Sequence, residues 1–590
     1  MCDFIFTNKK KSSSQLKECF NRVYEEEVEL SVFSSENCTL AFSENIYNGF
    51  KSYKVDNYIC VVIGGPVLKF RTNTFISKKN SNEGTKSIFD RWIKDDNIKW
   101  DKDLDGPFVV LLFDTQAGSL KLITDMLSFI PVYQNISDSH TVVCTHINII
   151  DFLYPGSVDQ VSVADFVMNN VVTFPYTIIE GVVQIFPASE HNWCLKGEGI
   201  KYNYQNYWLP VEVSSAEKDN ISALAKRLQN GLKNYMDRVL EAKPKVGILM
   251  SGGEDSRSVV GMMPKNYPKE GFIYSETENN EVNIARRVAE LNNVNFKVGF
   301  LMKNHFARTM ESCSNLIGVG ADCANVHSFG FHKKLNFNKY DAVFGGFLAD
   351  TFLKNLWAAK LQQKNKAMLF VTNDLLLNVK NYVNCEHSQI NNGFIEKVNK
   401  RRMMHWNAIS KFRPNTTQEW MGIWPISMQR DVPNIYGNRR IFRNYEPFTS
   451  SEVIKVGSIA SQEIKKNKVL FQKAMKPYLK NTKWIEHDQG YLPYFSYQIN
   501  RILFIPILKV VFRIMRNHRN TLANWPEVFR REDIKFKEKK YLPILHKYCF
   551  ELFKECTKLK LIDNTKFNDF QKRNLLQLCY FLTTKERFEK

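Results

Sequence analysis

The stretch KVGILMSGGEDSRSVVGMM, residues 245–263, constrains the fold of this chain more than any other. An apolar run of strand length ends in Ser-Gly-Gly, and a second apolar run with helical spacing follows at once. Two glycines allow the backbone to turn tightly between a buried strand and a helix. The sequence therefore predicts a strand-loop-helix unit, which is the building block of an α/β sheet with helices on its faces.

The loop of this unit is predicted to bind an anion. Ser251, Gly252 and Gly253 precede the helix, whose N-terminal N–H groups and dipole favour a phosphate or pyrophosphate. Ser251 and Ser256 add hydroxyl donors. Asp255 would be unfavourable beside a bare phosphate, unless a Mg²⁺ ion lies between them. The complete SGGxDS pattern after an apolar strand favours a magnesium nucleotide over an ordinary glycine-rich turn.

Changes in pattern along the 590 residues predict three regions, because this length exceeds a single hydrophobic core. Residues 1–205 contain short β-rich runs such as YICVVIGG and GPFVVLLFD between turn residues, which predicts a β-sandwich with helices. Residues 206–500 open with a long stretch of helical periodicity and are predicted to continue as a parallel α/β sheet. Residues 501–590 are predicted to be a basic helical extension.

Much of the positive charge lies in this extension. The formal net charge is +20, and the last hundred residues carry 21 basic and 10 acidic residues. Helices with basic outer faces suit an acidic partner or a membrane surface, or they are ordinary solvated faces. No clear indication of a nucleic-acid partner is present. The run RILFIPILKVVFRIM, residues 501–515, is short and contains Pro506 and Lys509, so a buried or interfacial helix is expected instead of a membrane span.

The cysteines and the start of the chain predict a soluble cytoplasmic protein. Twelve cysteines are scattered without a CxxC pair, which fits a reducing compartment. The start MCDFIFTNKKKSSS places its charges after a very short apolar stretch, the reverse of a secretory signal.

Several of these segments resemble one family of ATP-using enzymes. The loop SGGEDS resembles that of the pyrophosphatase-loop enzymes, and within them that of the asparagine-synthetase superfamily. Residues 340–352 resemble the family's second glycine-rich loop, with Gly345, Gly346 and Asp350; residues 103–134 resemble its amidotransferase-type (Ntn-type) N-terminal domain. The resemblance covers about residues 1–500. It implies a site for ATP and Mg²⁺ in which Asp255 and Asp350 hold the metal.

The source of the amine is the next question that the resemblance raises. Glutamine-dependent members use an N-terminal cysteine as nucleophile, and Cys2 is in that position. Ile63 stands where the family has an oxyanion donor, Asn45 near its glutamine-binding arginine, and Gly84 near its glutamine-anchoring aspartate. An isoleucine side chain cannot donate a hydrogen bond to an oxyanion. The N-terminal domain is therefore expected to be a degenerate glutaminase domain, with Cys2 as a relic or a buried thiol.

Without glutamine hydrolysis, the chain is closest to the branch of β-lactam synthetases and lasso-peptide cyclases. The resemblance then implies a ligase that adenylates a carboxylate, releases pyrophosphate and closes a ring on an amine of the same substrate. A precursor peptide, with a partner protease or leader-binding protein, is the expected substrate system, and a surface-glycan substrate is a further possibility. Two alternatives stay open: a glutamine-hydrolysing asparagine synthetase and a non-catalytic nucleotide-binding scaffold.

The amide-forming half of the site departs from the family pattern. Arg443 occupies the place of the family glutamate that lies four residues before a Pro-Phe pair, whereas Glu446 directly precedes Pro-Phe here. Glu446 with Tyr445 is the predicted substitute as a base or orienting pair. The lysine that the family uses at the acyl-adenylate transition state falls on or near His487, with Lys483 close by.

Overall fold

Two antiparallel sheets and one parallel sheet, with helices packed on them, form the fold in a computed structural model of the chain. The structure describes residues 3–24, 27–196, 199–213, 216–302, 305–354, 385–504, 531–554 and 566–589. The predicted fold class, a β-sandwich with helices followed by a parallel α/β sheet and a helical tail, is confirmed. Within the described ranges, every helix is too short or too polar to span a lipid bilayer.

The two antiparallel sheets come from the N-terminal part of the chain. Their strands, with a separate β6–β7 pair, are β1 (Phe4–Thr7), β2 (Leu30–Ser34), β3 (Thr39–Ser43), β4 (Tyr53–Val55), β5 (Tyr58–Ile63), β6 (Val67–Leu68), β7 (Leu104–Asp105), β8 (Val109–Asp114), β9 (Ser119–Thr124), β10 (Tyr133–Ile136), β11 (Thr141–Cys144), β12 (Val183–Gln184), β13 (Ser189–Lys196) and β14 (Gly199–Asn206). One sheet has the strand order β12-β10-β11-β1-β3-β2, and the other has the order β14-β13-β9-β8-β5-β4.

The two antiparallel sheets pack face to face, because apolar side chains on alternate residues of their strands point towards each other. The helices of this part are α1 (Ser13–Asn21), α2 (Glu83–Phe89), α3 (Trp100–Asp103), α4 (Ile147–Leu153) and α5 (Gln160–Asn169). Phe4 and Phe6 of β1 share a buried apolar cluster with Val109 of β8 in the other sheet, whereas Ile5 belongs to the cluster that contains Phe20 of α1. Since successive strand residues point to opposite faces, the first sheet lies between the second sheet and helices α1 and α4, and α2 packs on the other face of the second sheet.

The parallel sheet begins after a long helix. Its helices are α6 (Ile221–Leu240), α7 (Glu254–Met262), α8 (Asn280–Leu291), α9 (His305–Ile317), α10 (Phe331–Lys334) and α11 (Ala349–Leu353), and its strands are β15 (Val246–Leu249), β16 (Lys269–Ser275), β17 (Asn295–Phe300), β18 (Ala342–Phe344) and β19 (Asn444–Tyr445). The strand order is β17-β16-β15-β18-β19 with all pairs parallel. The chain thus reverses its direction of winding between β15 and β18, where ligands bind in such sheets.

The remaining described α-helices pack mainly on other helices. They are α12 (Asn392–Ser410), α13 (Thr417–Trp420), α14 (Pro433–Ile441), α15 (Ser451–Ile459), α16 (Gln462–Lys465), α17 (Val469–Met475), α18 (Tyr497–Ile499), α19 (Arg531–Tyr548) and α20 (Asp569–Glu589). Leu575 and Leu582 of α20 are buried in the core, and Lys585 forms a buried ion pair of 2.7 Å with Asp151 of α4. The tail is therefore packed into the molecule. Most of residues 501–515 lie outside the described residues.

A buried ion pair joins the N-terminal strands to the last part of the α/β region. Arg440 donates from Nε and Nη2 to the two carboxylate oxygens of Asp3, both at 2.8 Å, and also to the carbonyl of Thr145. Burial raises the pKa of Asp3, but the Arg440 guanidinium outweighs this effect and holds the pKa below its ordinary value. Since one core cluster also runs from Ile5 to Leu582, the boundary near residue 205 stays a prediction.

Candidate functional site

The two glycine-rich loops meet at the carboxyl ends of adjacent strands. SGGEDS follows β15 and enters α7, which begins at Glu254, so that Asp255 and Ser256 lie in its first turn. The second loop follows β18, the strand next to β15. A Cβ built on Gly346 would lie only 2.7 Å from the backbone N of Ser256 and 2.8 Å from the carbonyl carbon of Asp255. Only glycine permits this close contact between the loops.

The N–H groups of the first loop are hydrogen bonded within the protein. Gly252 N donates to Oε1 of Glu281 at 3.2 Å, and Gly253 N donates to Oγ of Ser251 at 3.2 Å. Ser251 N in turn donates to Oγ of Ser256 at 3.1 Å. Burial is the main cause that raises the pKa of Glu281 to about 7. A phosphate at this loop would therefore replace a carboxyl group that already accepts from Gly252.

A buried lysine lies between the carboxylates of both loops. Nζ of Lys354 is 3.0 Å from Oε1 of Glu254 and 3.0 Å from Oδ1 of Asp350, and it also contacts Oδ1 of Asp255. Burial lowers the pKa of Lys354, but these carboxylates more than compensate and raise it above its ordinary value. For Asp255, burial dominates and raises the pKa to about 7.

The carboxylate cluster lies where the magnesium site is predicted. Asp255 and Asp350 lie close together, as a shared ion requires, and carboxylate oxygens are suitable magnesium ligands. The Oδ1 atom of each carboxylate, however, already contacts the ammonium of Lys354. Among the described residues, no group of three or more His, Cys, Asp or Glu side chains is arranged to hold a metal ion. The arrangement does not fit a divalent ion between these two carboxylates while Lys354 occupies this position.

Three further side chains, those of Lys468, His487 and Tyr491, lie beside the first loop. Nζ of Lys468 donates to Oε1 of Glu254 and to the hydroxyl of Tyr491, both at 2.6 Å. The ring of His487 stacks on Tyr491 with centroids 4.4 Å apart, and its Nε2 lies 3.7 Å from the position that a Cβ on Gly253 would take. Burial lowers the pKa of His487, so the neutral imidazole is favoured.

The structure brings His487 to the loop but places Lys483 elsewhere. Lys483 is exposed, and its Nζ lies 5.4 Å from the ring centroid of Trp484, an exposed residue. Of the two residues predicted for the lysine role, only His487 is beside SGGEDS. Lys468 adds a cation at this wall that sequence reasoning did not select.

Glu446 is a buried support of the second loop. Its Oε2 accepts from the backbone N of Phe347 at 3.0 Å, and its Oε1 accepts from Nδ2 of Asn444 at 3.1 Å. A Cβ on Gly345 would lie 2.2 Å from Oε1 of Glu446, so glycine is required there. Burial raises the pKa of Glu446 above its ordinary value. This geometry is that of a residue which positions the loop.

The neighbours of Glu446 on β19 line a small cavity between the N-terminal sheets and the α/β region. Tyr445 and Arg443 line it from one side, and Asn45 and Gly64 line it from the other. Nη1 of Arg443 donates to the carbonyl of Tyr340 at 2.6 Å and also pairs with Asp341. Arg443, which replaces the family glutamate, therefore fixes the start of β18 and not a substrate group.

The three positions that depart from the glutaminase pattern have structural roles. Ile63 is fully buried in the apolar layer between the antiparallel sheets. A Cβ on Gly84 would lie 2.6 Å from the ring of Phe50, which leaves no space for an aspartate. Asn45 is buried, and its Oδ1 accepts from Tyr47 N at 3.1 Å. Cys2 lies outside the described residues.

Sequence reasoning missed Lys354, Glu254, Glu281 and Lys468. Lys354 could have been suspected, because it lies four residues after Asp350 and shares a helix face with it. Glu281 and Lys468 reach the loop from distant elements, so no local pattern indicates them.

Comparisons with known proteins leave the family undetermined. No family model matches the chain, and no curated protein matches it. Among solved structures, the glutamine phosphoribosylpyrophosphate amidotransferase of B. subtilis complexed with ADP and GMP is similar at 11% identity, covering 52% of this chain and 68% of that chain, with a TM-score of 0.24. A structure of the allosteric regulatory enzyme of purine biosynthesis is similar at 9% identity, covering 50% and 80%, with a TM-score of 0.22. Such low TM-scores do not establish a shared fold.

Proposed function

We propose that this chain is an ATP-dependent ligase that forms an amide bond. It would adenylate a carboxylate, release pyrophosphate and join the acyl group to an amine, as its resemblance to the asparagine-synthetase superfamily implies. The supporting observation is that SGGEDS and the second glycine loop meet at the carboxyl ends of β15 and β18, at the switch point of a parallel sheet.

The first loop would bind the phosphates of ATP. The N–H groups of Gly252 and Gly253 and the hydroxyls of Ser251 and Ser256 surround the N-terminus of α7, where the helix dipole favours an anion. Their present acceptors are Glu281 and the loop's own hydroxyls. Binding would therefore exchange these internal hydrogen bonds for bonds to the pyrophosphate.

The second loop would position the acyl group. Glu446 holds Phe347 N and packs on Gly345, so it fixes the backbone that faces Asp255. We assign Glu446 an orienting role, because both its carboxylate oxygens accept hydrogen bonds and it is buried. Tyr445, on the same strand, would shape the adjacent cavity.

The amine would come from the substrate itself. Tethering the amine to the acyl group gives a large effective concentration, which favours ring closure over reaction with free ammonia. We propose a precursor peptide as the substrate, with a leader-binding protein or a protease as partner. Separately, exposed basic side chains of the tail would contact an acidic partner or a membrane surface.

Pyrophosphate exchange into ATP tests the proposal. Wild-type protein should catalyse exchange when supplied with its carboxylate, and Asp255→Asn should reduce exchange, because it removes a carboxylate that holds the ammonium of Lys354 in the first turn at the loop. Asp237→Asn, on the exposed side of α6, is the control and should keep wild-type exchange. Full exchange by Asp255→Asn would contradict the assignment.

A second candidate function is a nucleotide-binding scaffold. It is favoured by one observation: Lys354 already pairs with Asp255 and Asp350, the two carboxylates that would hold a metal ion for the ligation step. Nucleotide binding in a titration, without pyrophosphate exchange for any carboxylate tested, would support the scaffold over the ligase.

A further inference from the structure

One ammonium contacts three carboxylates where the two glycine loops meet. Lys354 Nζ contacts Asp255 and lies 3.0 Å from both Glu254 and Asp350. We infer that Lys354 is a built-in cation, which takes the place of a divalent ion between Asp255 and Asp350. Nothing in the SGGxDS pattern itself requires a lysine at this point.

The position of Lys354 is fixed by its surroundings. It directly follows α11 and lies one helical turn after Asp350, so both side chains leave the same face. Its side chain is only 4% exposed, and Nζ lies 4.2 Å from the ring centroid of Phe471, which is fully buried. A lysine in such an apolar setting stays charged only because the carboxylates surround it.

A divalent ion and this ammonium exclude each other. Mg²⁺ binds oxygen ligands at about 2.0–2.1 Å in octahedral geometry. The oxygens that would face it, Oδ1 of Asp255 and Oδ1 of Asp350, are the atoms that contact Nζ of Lys354. Two cations sharing these oxygens would repel each other, because the ammonium is buried although Asp350 is exposed. Removing the ammonium should therefore turn the cluster into a divalent-ion site.

This inference also bears on ATP, and to that extent it rests on the proposed function. A divalent ion that accompanies ATP would be held by phosphate oxygens and water, while the ammonium of Lys354 stays paired with Asp255 and Asp350. The charge of the cluster would then not depend on the concentration of free Mg²⁺.

Manganese binding to the full-length protein without nucleotide tests the inference. Free Mn²⁺ is measured by its electron paramagnetic resonance signal during titration of wild type and Lys354→Met. Wild type should leave Mn²⁺ free, whereas Lys354→Met should bind about one Mn²⁺ per chain, at least roughly tenfold more tightly than any site in wild type. Mn²⁺ should also raise the melting temperature of Lys354→Met and not that of wild type.

Lys465→Met is the matched control. Lys465 is equally buried, with its Nζ 2.6 Å from Glu419, but it contacts this single carboxylate in its ion pair. Its replacement should lower stability without creating Mn²⁺ binding. Lys354→Arg, which keeps the positive charge, should also leave Mn²⁺ free.

Two results would overturn the inference: tight Mn²⁺ binding by wild type that is lost in Asp255→Asn, or a folded Lys354→Met that leaves Mn²⁺ free. If Lys354→Met fails to fold, the double variant Lys354→Met/Glu254→Gln removes one carboxylate together with the ammonium and is titrated instead, with the same two readings. Because nucleotide is absent, a failure of the proposed ligase activity leaves these outcomes unchanged.

Discussion

Glu281 is a buried carboxyl group that accepts from the first loop, and its ionisation should affect stability. Burial, with a smaller contribution from Asp488, raises its pKa to about 7 from an ordinary 4.5. Between these two values the folded protein holds the proton and the unfolded chain does not, so stability falls as pH rises through this range. Above about pH 7 the carboxylate is ionised in both states, and its full penalty is present.

Glu281→Gln should therefore increase stability at pH 8. We expect the free energy of unfolding to rise by on the order of 1–2 kcal/mol at pH 8, and the difference from wild type to shrink towards zero below about pH 4.5. Urea denaturation across this pH range measures it. Glu290→Gln, at an exposed position of the same helix α8, should show no such trend. A pH-independent effect of Glu281→Gln would contradict the assignment.

At the level of single residues, the sequence predicts the site residues within the first loop but not those that reach it from other elements. The sequence predicts Ser251, Asp255 and Ser256 as site residues because they lie close together in one loop. Glu281 reaches Gly252 from α8, and Lys468 reaches Glu254 from 214 residues away along the chain, so no local spacing indicates them. The choice between His487 and Lys483 also depended on tertiary packing.

At the level of elements, the strand-loop-helix unit could be predicted because apolar spacing changes from strand to helix within one segment. The position of the second loop against the first could not, because β15 and β18 are adjacent only through the crossover topology. The close approach of Gly346 to the backbone N of Ser256 follows from this adjacency.

Gly346→Ala should disturb both loops together. A Cβ there would lie 2.7 Å from the backbone N of Ser256, so the first turn of α7 must shift. We expect a loss of about 1–3 kcal/mol in the free energy of unfolding, together with weaker nucleotide binding. Gly393→Ala in α12 is the control, since nothing lies within 4 Å of its Cβ position, and it should retain wild-type stability or gain slightly. Denaturant titration measures the free energy of unfolding of both variants. A Gly346→Ala variant as stable as wild type would refute the close contact.

At the level of the whole molecule, Arg440 connects the antiparallel sheets to the α/β region. Arg440→Met would leave Asp3 buried without its guanidinium partner, which typically lowers the free energy of unfolding by about 3–5 kcal/mol. Arg430→Met removes an exposed arginine paired with Asp431 and should cost less than about 1 kcal/mol. Tryptophan fluorescence during guanidinium unfolding measures both. Equal stabilities of the two variants would show that the buried pair does not join the halves.

The last prediction concerns what the N-terminal sheets contribute to function. Purified protein should not release glutamate from glutamine, with or without ATP, and Cys2→Ala should be silent. The Ile63 side chain is buried in the core between the antiparallel sheets, and the ring of Phe50 fills the space beside Gly84. Neither Ile63 nor Gly84 therefore supplies a side chain that binds glutamine. Loss of even one oxyanion donor typically reduces kcat by about 10²–10³-fold. The sheets would then act as a scaffold that holds the α/β region through contacts such as Asp3 with Arg440. Glutamine turnover that disappears in Cys2→Ala would restore the glutamine-hydrolysing synthetase and exclude a substrate-borne amine as the only source.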